Sequence, residues 1–455
     1  MLHLPGPFLS ELPTTLPTAG GDPVTATVDQ VLSPYIYVFY AAFLVAFAFT
    51  PVMRQVALYY GIVDHPDHNR KFHAKPIAYL GGAAMFLGWV AGLAISQFTS
   101  VHRMESRLPH IHLPFPVVMS AAMIALLGLC DDVKRVRARY KILVQVLAAG
   151  LLLLGGVGVH SVEPLLGPVL HRTQVYLGWD PGWIHPLITL AGGGLTVAVV
   201  VGCCNASNLL DGMDGLCGGV TAIIAAGFTF LSVHMATHGS IATTNLDGMR
   251  VVLGLALLGS VLGFLLFNFS PASIFMGDTG SLFLGFSSAT LILTMAENSS
   301  RWFLASMIMF ALPWLDTALA FARRYLNGRP LFSPDRHHVH HQIQHRGYSV
   351  TQTVLIVYAI TLAFVLLGAV IVFIRVRYAV AVYIVVFGGI LVTAVKAGLV
   401  HERLRVANPS RLGDGGPSVA RNVDAGYDDG AVLEVDAPTI GPTTESRQFT
   451  ADRQS

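Results

Sequence analysis

Carboxylates interrupt an otherwise apolar chain at four places: Asp131 with Asp132, Asp211 with Asp214, Asp278 inside Met276-Gly277-Asp278-Thr279-Gly280, and Asp335 ahead of His337-His338-Val339-His340-His341. Hard oxygen donors beside basic and histidine-rich segments suit a divalent cation and a phosphorylated substrate. Each segment also has a plainer structural reading.

Asp131 and Asp132 precede Lys134, Arg135, Arg137, Arg139 and Lys141. Adjacent carboxylates raise each other's proton affinity unless a cation offsets the repulsion. The pair could therefore bind metal or serve as a base while the basic run holds a phosphate; the plain reading is a basic membrane anchor with two solvated acids. In Asn205-Ala-Ser-Asn208-Leu-Leu-Asp211-Gly-Met-Asp214-Gly215, the amides and carboxylates are oxygen ligands or hydrogen-bond partners for a hard cation or a nucleotide sugar. Its glycines let backbone come close. A capped helix start is the alternative there. Asp278, at a helix entry, can aim its carboxylate at a cation while the helix N-terminus adds positive potential for phosphate; it too could be a simple cap. Around the histidines, Arg329 and Arg336 are interleaved and no cysteine completes a tetrahedral set, which favours diphosphate over zinc. Arg70, Lys71, His73 and Lys75 precede Pro76 and Gly81-Gly82 in another basic loop.

The elements that position these residues are membrane helices. Of 455 residues, 53% are hydrophobic and 12% charged, half the usual charged share, so the fold class is all-α, a polytopic transmembrane bundle. Apolar runs of spanning length begin near Pro34, Tyr79, Pro114, Lys141, His185, Leu216, Val251, Ser281, Trp302, Val350 and Ala379. That predicts about eleven spans, with Leu151 to His171 the weakest stretch because Gly155, Gly156 and Gly158 disfavour helix. Loops on one side carry fourteen Lys and Arg, those on the other seven. The richer side should be cytoplasmic, with the N-terminus outside and the C-terminus inside the cell membrane. Every acidic patch falls on that cytoplasmic side although the count ignored acids. Residues 1–33, without Lys or Arg, read as an extracytoplasmic tail leading to an uncleaved anchor, 34–400 as the transmembrane catalytic domain, and 401–455 as a polar, disordered cytoplasmic tail. Cys130, Cys203, Cys204 and Cys217 read as reduced core thiols. A net charge of +2, with basic residues confined to short loops, gives no nucleic-acid surface. Asp316 is the clearest ionisable residue at membrane depth, either paired or directly functional.

NASNLLDGMDG, FMGDTGS, the Asp-Asp pair ending the third span and PLFSPDRHHVHH occur in the order, and on the side, that resembles the polyprenyl-phosphate N-acetylhexosamine-1-phosphate transferases, a glycosyltransferase 4 superfamily. The SPDR-x-His-x-His-His form resembles the branch using UDP-N-acetylglucosamine more than the peptidoglycan branch of phospho-MurNAc-pentapeptide transferases. The resemblance implies transfer of a sugar 1-phosphate from a UDP-sugar donor to a polyprenyl phosphate acceptor such as undecaprenyl phosphate, releasing UMP. It implies Mg2+, with Mn2+ as a substitute, held by Asn208 and Asp278, and Phe275 stacked on uracil. Asp211 and Asp214 would serve the nucleotide or the metal-bound diphosphate, and Asp131 and Asp132 the lipid phosphate. Arg336, His338, His340 and His341 would grip diphosphate and sugar. Asn205 belongs to the same matched motif, and Lys75 matches the basic residue before the Pro and Gly-Gly. One departure is visible: the peptidoglycan branch has DDxxK, whereas Arg135 stands there, beside Lys134.

A secondary transporter would share the many spans and Asp316, yet would place its polar groups near the midplane. A metalloprotease would need HExxH, which is absent. A homodimer is compatible with the sequence, which does not demand one.

Overall fold

The computed structural model describes residues 27–64, 76–101, 114–177, 181–238, 245–297, 299–326, 328 and 338–396. Lys75, Arg336 and the stretch 401–455 lie outside them. Fifteen helices follow in chain order: α1 (Val28–Leu32), α2 (Ile36–Tyr60), α3 (Gly81–Val101), α4 (Phe115–Lys134), α5 (Ala138–Leu154), α6 (Glu163–Leu177), α7 (Ile184–Leu210), α8 (Leu216–His238), α9 (Asn245–Asn268), α10 (Gly277–Ala296), α11 (Ser300–Met309), α12 (Ala311–Leu326), α13 (Val339–His345), α14 (Val350–Ile371) and α15 (Val376–Lys396). Two two-residue strands, β1 (Val63–Asp64) and β2 (Ile77–Ala78), pair antiparallel, and Ala78 also bridges to Ile274. The protein is an all-α, multi-pass membrane protein.

Eight helices, α2, α3, α4, α7, α8, α9, α10 and α14, are long and apolar enough to cross a bilayer, and α11 with α12 make a ninth if the bent pair counts as one span. Among the described residues, eight or nine of the expected eleven spans meet the length and composition of a crossing helix. Of the other two runs, α5 has 17 residues, and the apolar part of α15 covers Val376–Ile390. α5 nevertheless runs from Lys141, beside the first turn of α10, to the glycine turn whose Gly158 meets Glu297 at the far end, and α15 as a whole has 21 residues. The weak glycine stretch ends α5: Gly155 caps it, Gly156 and Gly158 take φ of 80° and 88°, and the chain turns into α6. The break between α11 and α12 bends by 70° at Phe310. Pro313 lies just beyond it, lacks an N–H, and its ring crowds the carbonyl four residues back, at Met309. α1 falls within the stretch 1–33.

α10 is the axis of the bundle. Every residue from Thr279 to Ala296 is buried, and α3, α4, α7, α8, α9 and α11 pack around it. Such enclosure needs small residues where backbones touch. A Cβ at Gly128 of α4 would stand 2.4 Å from Thr279 Cα, and one at Gly82 of α3 would stand 2.1 Å from the Gly280 nitrogen. Two helices thus press directly against the first turn of α10, which carries Asp278. At its other end, buried Arg250 of α9 donates to the Thr294 carbonyl and to Asp247 at 2.6 Å, while Glu297 accepts from the Gly158 N–H at 2.7 Å. Among the cysteines, Cys203, Cys204 and Cys217 are buried and free, whereas Cys130 is free but exposed. Cys130 is thus no core thiol, because Gly128 and Asp132 form the face of α4 that packs on α10 and Cys130 lies on the other side of the helix.

Candidate active site

α10 begins without a side-chain cap of its own; its N-cap residue is Met276. Asp132, at the end of α4, supplies the cap from outside. Its Oδ1 accepts from the Asp278 N–H at 2.7 Å, and its Oδ2 from the Thr279 N–H at 3.1 Å and the Thr279 hydroxyl at 2.6 Å. Gly277 permits this approach: it has φ 68°, and a Cβ there would meet Asp132 Oδ2 at 2.5 Å.

Asp278 is thereby turned toward α5 and α7. Its Oδ2 pairs with Lys141 Nζ at 2.6 Å, and its Oδ1 accepts from the Asn208 amide at 2.9 Å, which also reaches Ser281 Oγ at 3.0 Å. Lys141 simultaneously pairs with Asp131 Oδ2 at 2.5 Å, and the other Asp131 oxygen accepts from the Val136 N–H. One ammonium therefore bridges two carboxylates from different helices. Lys134 and Arg135 are exposed and form no ion pair with the described residues; Arg135 closes α4 at φ 48°. The basic group that meets the carboxylates is Lys141, the last member of the basic run that the sequence offers either to a phosphate or to the membrane surface. A polar stripe could have found it: Gln145 lies one turn on, on the same face, fully buried, and accepts from the Asn205 amide at 2.9 Å.

Asp211 and Asp214 have different surroundings. Asp211 caps the end of α7 and is partly exposed; burial first, then the charges of Asp278, Asp132 and Asp214, push its carboxyl up to about 8. Asp214 accepts from the Ala272 N–H at 3.0 Å and so holds the 269–276 loop. Asn268 adds to this by accepting from Gly215 N–H and donating to the Ile274 carbonyl, and Tyr358 of α14 donates to the Gly215 carbonyl. Neither Asn268 nor Tyr358 carries a motif that would have singled it out. Phe275 is fixed through its backbone, donating to Ala78 and accepting from Gly81, and its ring lies 6.0 Å from that of Tyr79.

The histidines meet the Asp211 loop. His340 is buried with neither ring nitrogen hydrogen-bonded, and a Cβ on Gly212 would stand 2.7 Å from its Nε2. Burial, then the neighbouring His341, holds its imidazole down at about 4. The His340 and His341 rings lie 4.3 Å apart, and the His338 ring is parallel to that of His340 at 5.7 Å. Asp316 is paired: its carboxylate takes His338 Nδ1 and the Val339 N–H, each at 2.9 Å.

Among the described residues no three His, Cys, Asp or Glu side chains cluster as a metal cage. Magnesium does not need one, since it is held by one or two carboxylates with water and substrate phosphates. Asp278 and Asn208, with Asp131 and Asp211 close by, carry oxygens of that kind, and here both Asp278 oxygens are taken up by Lys141 and the Asn208 N–H, which a cation would have to displace.

A family model described as "Glycosyl transferase family 4" matches residues 114–296, which span α4 to α10 and hold most of these side chains. A Bacillus subtilis (strain 168) protein named "Probable undecaprenyl-phosphate N-acetylglucosaminyl 1-phosphate transferase" is 33% identical over 339 residues, covering 74% of this chain and 85% of its own. The chain belongs to glycosyl transferase family 4. Other relatives in the family are a Mycobacterium tuberculosis "Decaprenyl-phosphate N-acetylglucosaminephosphotransferase", 35% identical over 70% of this chain and 77% of its own, and a Desulforudis audaxviator "Phospho-N-acetylmuramoyl-pentapeptide-transferase", 35% identical over 55% and 73%.

Proposed function

We propose that this family 4 transferase moves N-acetylglucosamine 1-phosphate from its UDP-sugar to undecaprenyl phosphate or a related polyprenyl phosphate. The products are the polyprenyl-diphosphate sugar and UMP. The observation that carries the reading is the convergence of Asp131, Lys141, Asn208 and Asp278 from four helices at one end of the bundle. The names and coverage of the N-acetylglucosaminyl relatives favour this donor over the pentapeptide one, whose relative covers less of the chain.

In this reading an oxygen of the lipid phosphate attacks the sugar-linked phosphorus of the donor, and the bond to the UMP oxygen breaks. Two anions must approach, so fixed positive charge is the main requirement. Mg2+ held by Asp278 and Asn208 would neutralise the diphosphate. Lys141 keeps the Asp131 and Asp278 carboxylates together and supplies a cation beside them. Asp132 holds the backbone and hydroxyl donors at the start of α10 with both oxygens and acts as a positioning group; Asp131 has one oxygen on the Val136 N–H and the other on the Lys141 side chain, and accepting the lipid phosphate's proton is assigned to that second oxygen. Asp211 serves the nucleotide side, next to Gly212, against which His340 lies. His338, His340 and His341, with Arg336, hold the diphosphate and sugar. The Lys and Arg asymmetry supports a cytoplasmic site in the cell membrane, N-terminus outside and C-terminus inside.

The test is incubation of membranes containing the protein with labelled UDP-sugars and polyprenyl phosphate, with and without Mg2+. Lipid-linked label and UMP in equal amounts, only with the cation, are expected. Uptake of label into vesicles without lipid product would instead indicate a transporter.

A further inference from the structure

Asp316 stands just past the 70° break between α11 and α12 and is 2% exposed. A carboxylate so buried is costly unless its oxygens are hydrogen-bonded. Here both serve a single segment. Oδ1 accepts from the Val339 N–H at the start of α13, which lacks a side-chain cap of its own. Oδ2 takes Nδ1 of His338 at 2.9 Å. The arrangement repeats what Asp132 does for α10: an aspartate from a neighbouring helix caps an element that bears candidate site residues.

The His338 contact adds something that a cap alone would not. An acceptor at Nδ1 fixes the ring plane, sets the proton on Nδ1, and leaves Nε2 as the nitrogen offered away from Asp316. His338 is the first of three neighbouring rings; the second, His340, lies against Gly212 in the loop that carries Asp211. We propose that Asp316 is a positioning residue of the reaction centre, which fixes the orientation and tautomer of His338 and so sets the histidine group against the Asp211 loop. The inference rests on the proposed transferase reading, in which those histidines meet the donor diphosphate.

Asp316→Asn tests it. The amide keeps the size and an acceptor for Val339, but offers an N–H toward His338 and so favours the opposite tautomer. The kcat/KM for the UDP-sugar should fall by about 10- to 100-fold, the range for loss of a ring-orienting partner, with an unchanged melting temperature. In a His338→Gln background the same substitution should cost less than about twofold, because its effect passes through that ring. Near-normal turnover of Asp316→Asn, or an undiminished loss in the His338→Gln background, would overturn the proposal. Nitrogen-15 spectra of histidine-labelled wild-type protein give an assay-independent answer: a protonated His338 Nδ1 is expected, and a bare one would refute the assignment even if the variant folds poorly. Should wild-type protein transfer no sugar phosphate at all, the transferase reading fails, while the spectra still decide the Asp316–His338 contact.

Discussion

Lys141 joins two carboxylates, at 2.5 and 2.6 Å, that would otherwise repel across the meeting point of α4, α5 and α10. Removing one such preorganised charge commonly costs about 10²- to 10³-fold in rate. Lys141→Met is therefore expected to lose at least about a hundredfold in kcat, whereas Lys134→Ala and Arg135→Ala stay within about threefold; labelled lipid product from purified variants decides between them. Asp278→Ala should abolish transfer even at high Mg2+ while the protein stays folded, and near-normal turnover would remove the metal from that residue. Much of this site is legible in the chain, since Asp131, Asn208 and Asp278 sit in recognisable motifs. The partners are less so. A lysine inside a basic run looks the same whether it meets solvent or a carboxylate, and the difference arises only when α5 starts at Ala138 and turns Lys141 inward. Asp132 and Asp214 look like reacting acids in sequence, and what the sequence does not show is that each also accepts from backbone N–H groups of the segment around Asp278.

Elements add two constraints. Close backbone contact holds α10 in place, so Gly128→Ala would force its methyl into Asp278 and Thr279 backbone. Overpacking of this kind costs about 1–3 kcal/mol, and the variant should show a lower melting temperature together with reduced turnover. α13 carries a pH dependence through His340, whose pKa falls from 6.5 to about 4 mainly through burial. Between those values the unfolded chain binds a proton that the folded chain refuses. Stability is then full above about pH 6.5 and declines as pH falls toward about 4. His340→Gln should flatten that part of a melting-temperature profile measured from pH 4 to 7. Helices were readable from apolar runs, but their lengths were not. Hydropathy does not register that Gly155 ends α5 after 17 residues, or that the run from Ser300 to Leu326 breaks by 70° at Phe310, just ahead of Pro313.

At the scale of the molecule, α10 separates two ends about 30 Å apart, from its 20 residues at 1.5 Å each. The candidate site lies at one end and Arg250, Glu297 and Gly158 at the other. With the proposed orientation and the exposed Cys130 replaced by Ser, a cysteine placed at Arg135 should react with a membrane-impermeant maleimide only in inside-out vesicles, and one at Arg172 only in right-side-out ones. Labelling of both from the same side would break the topology. The enclosure of α10 has a further result. No acyl chain touches it, so the depth of the reacting phosphates is set by neighbouring protein rather than by bilayer thickness. Reconstitution into short- and long-chain phospholipids should then alter how readily the isoprenoid substrate arrives, seen in its KM, and leave kcat almost constant. A host cell could remodel its fatty acids with temperature and keep the chemical step running at the same pace.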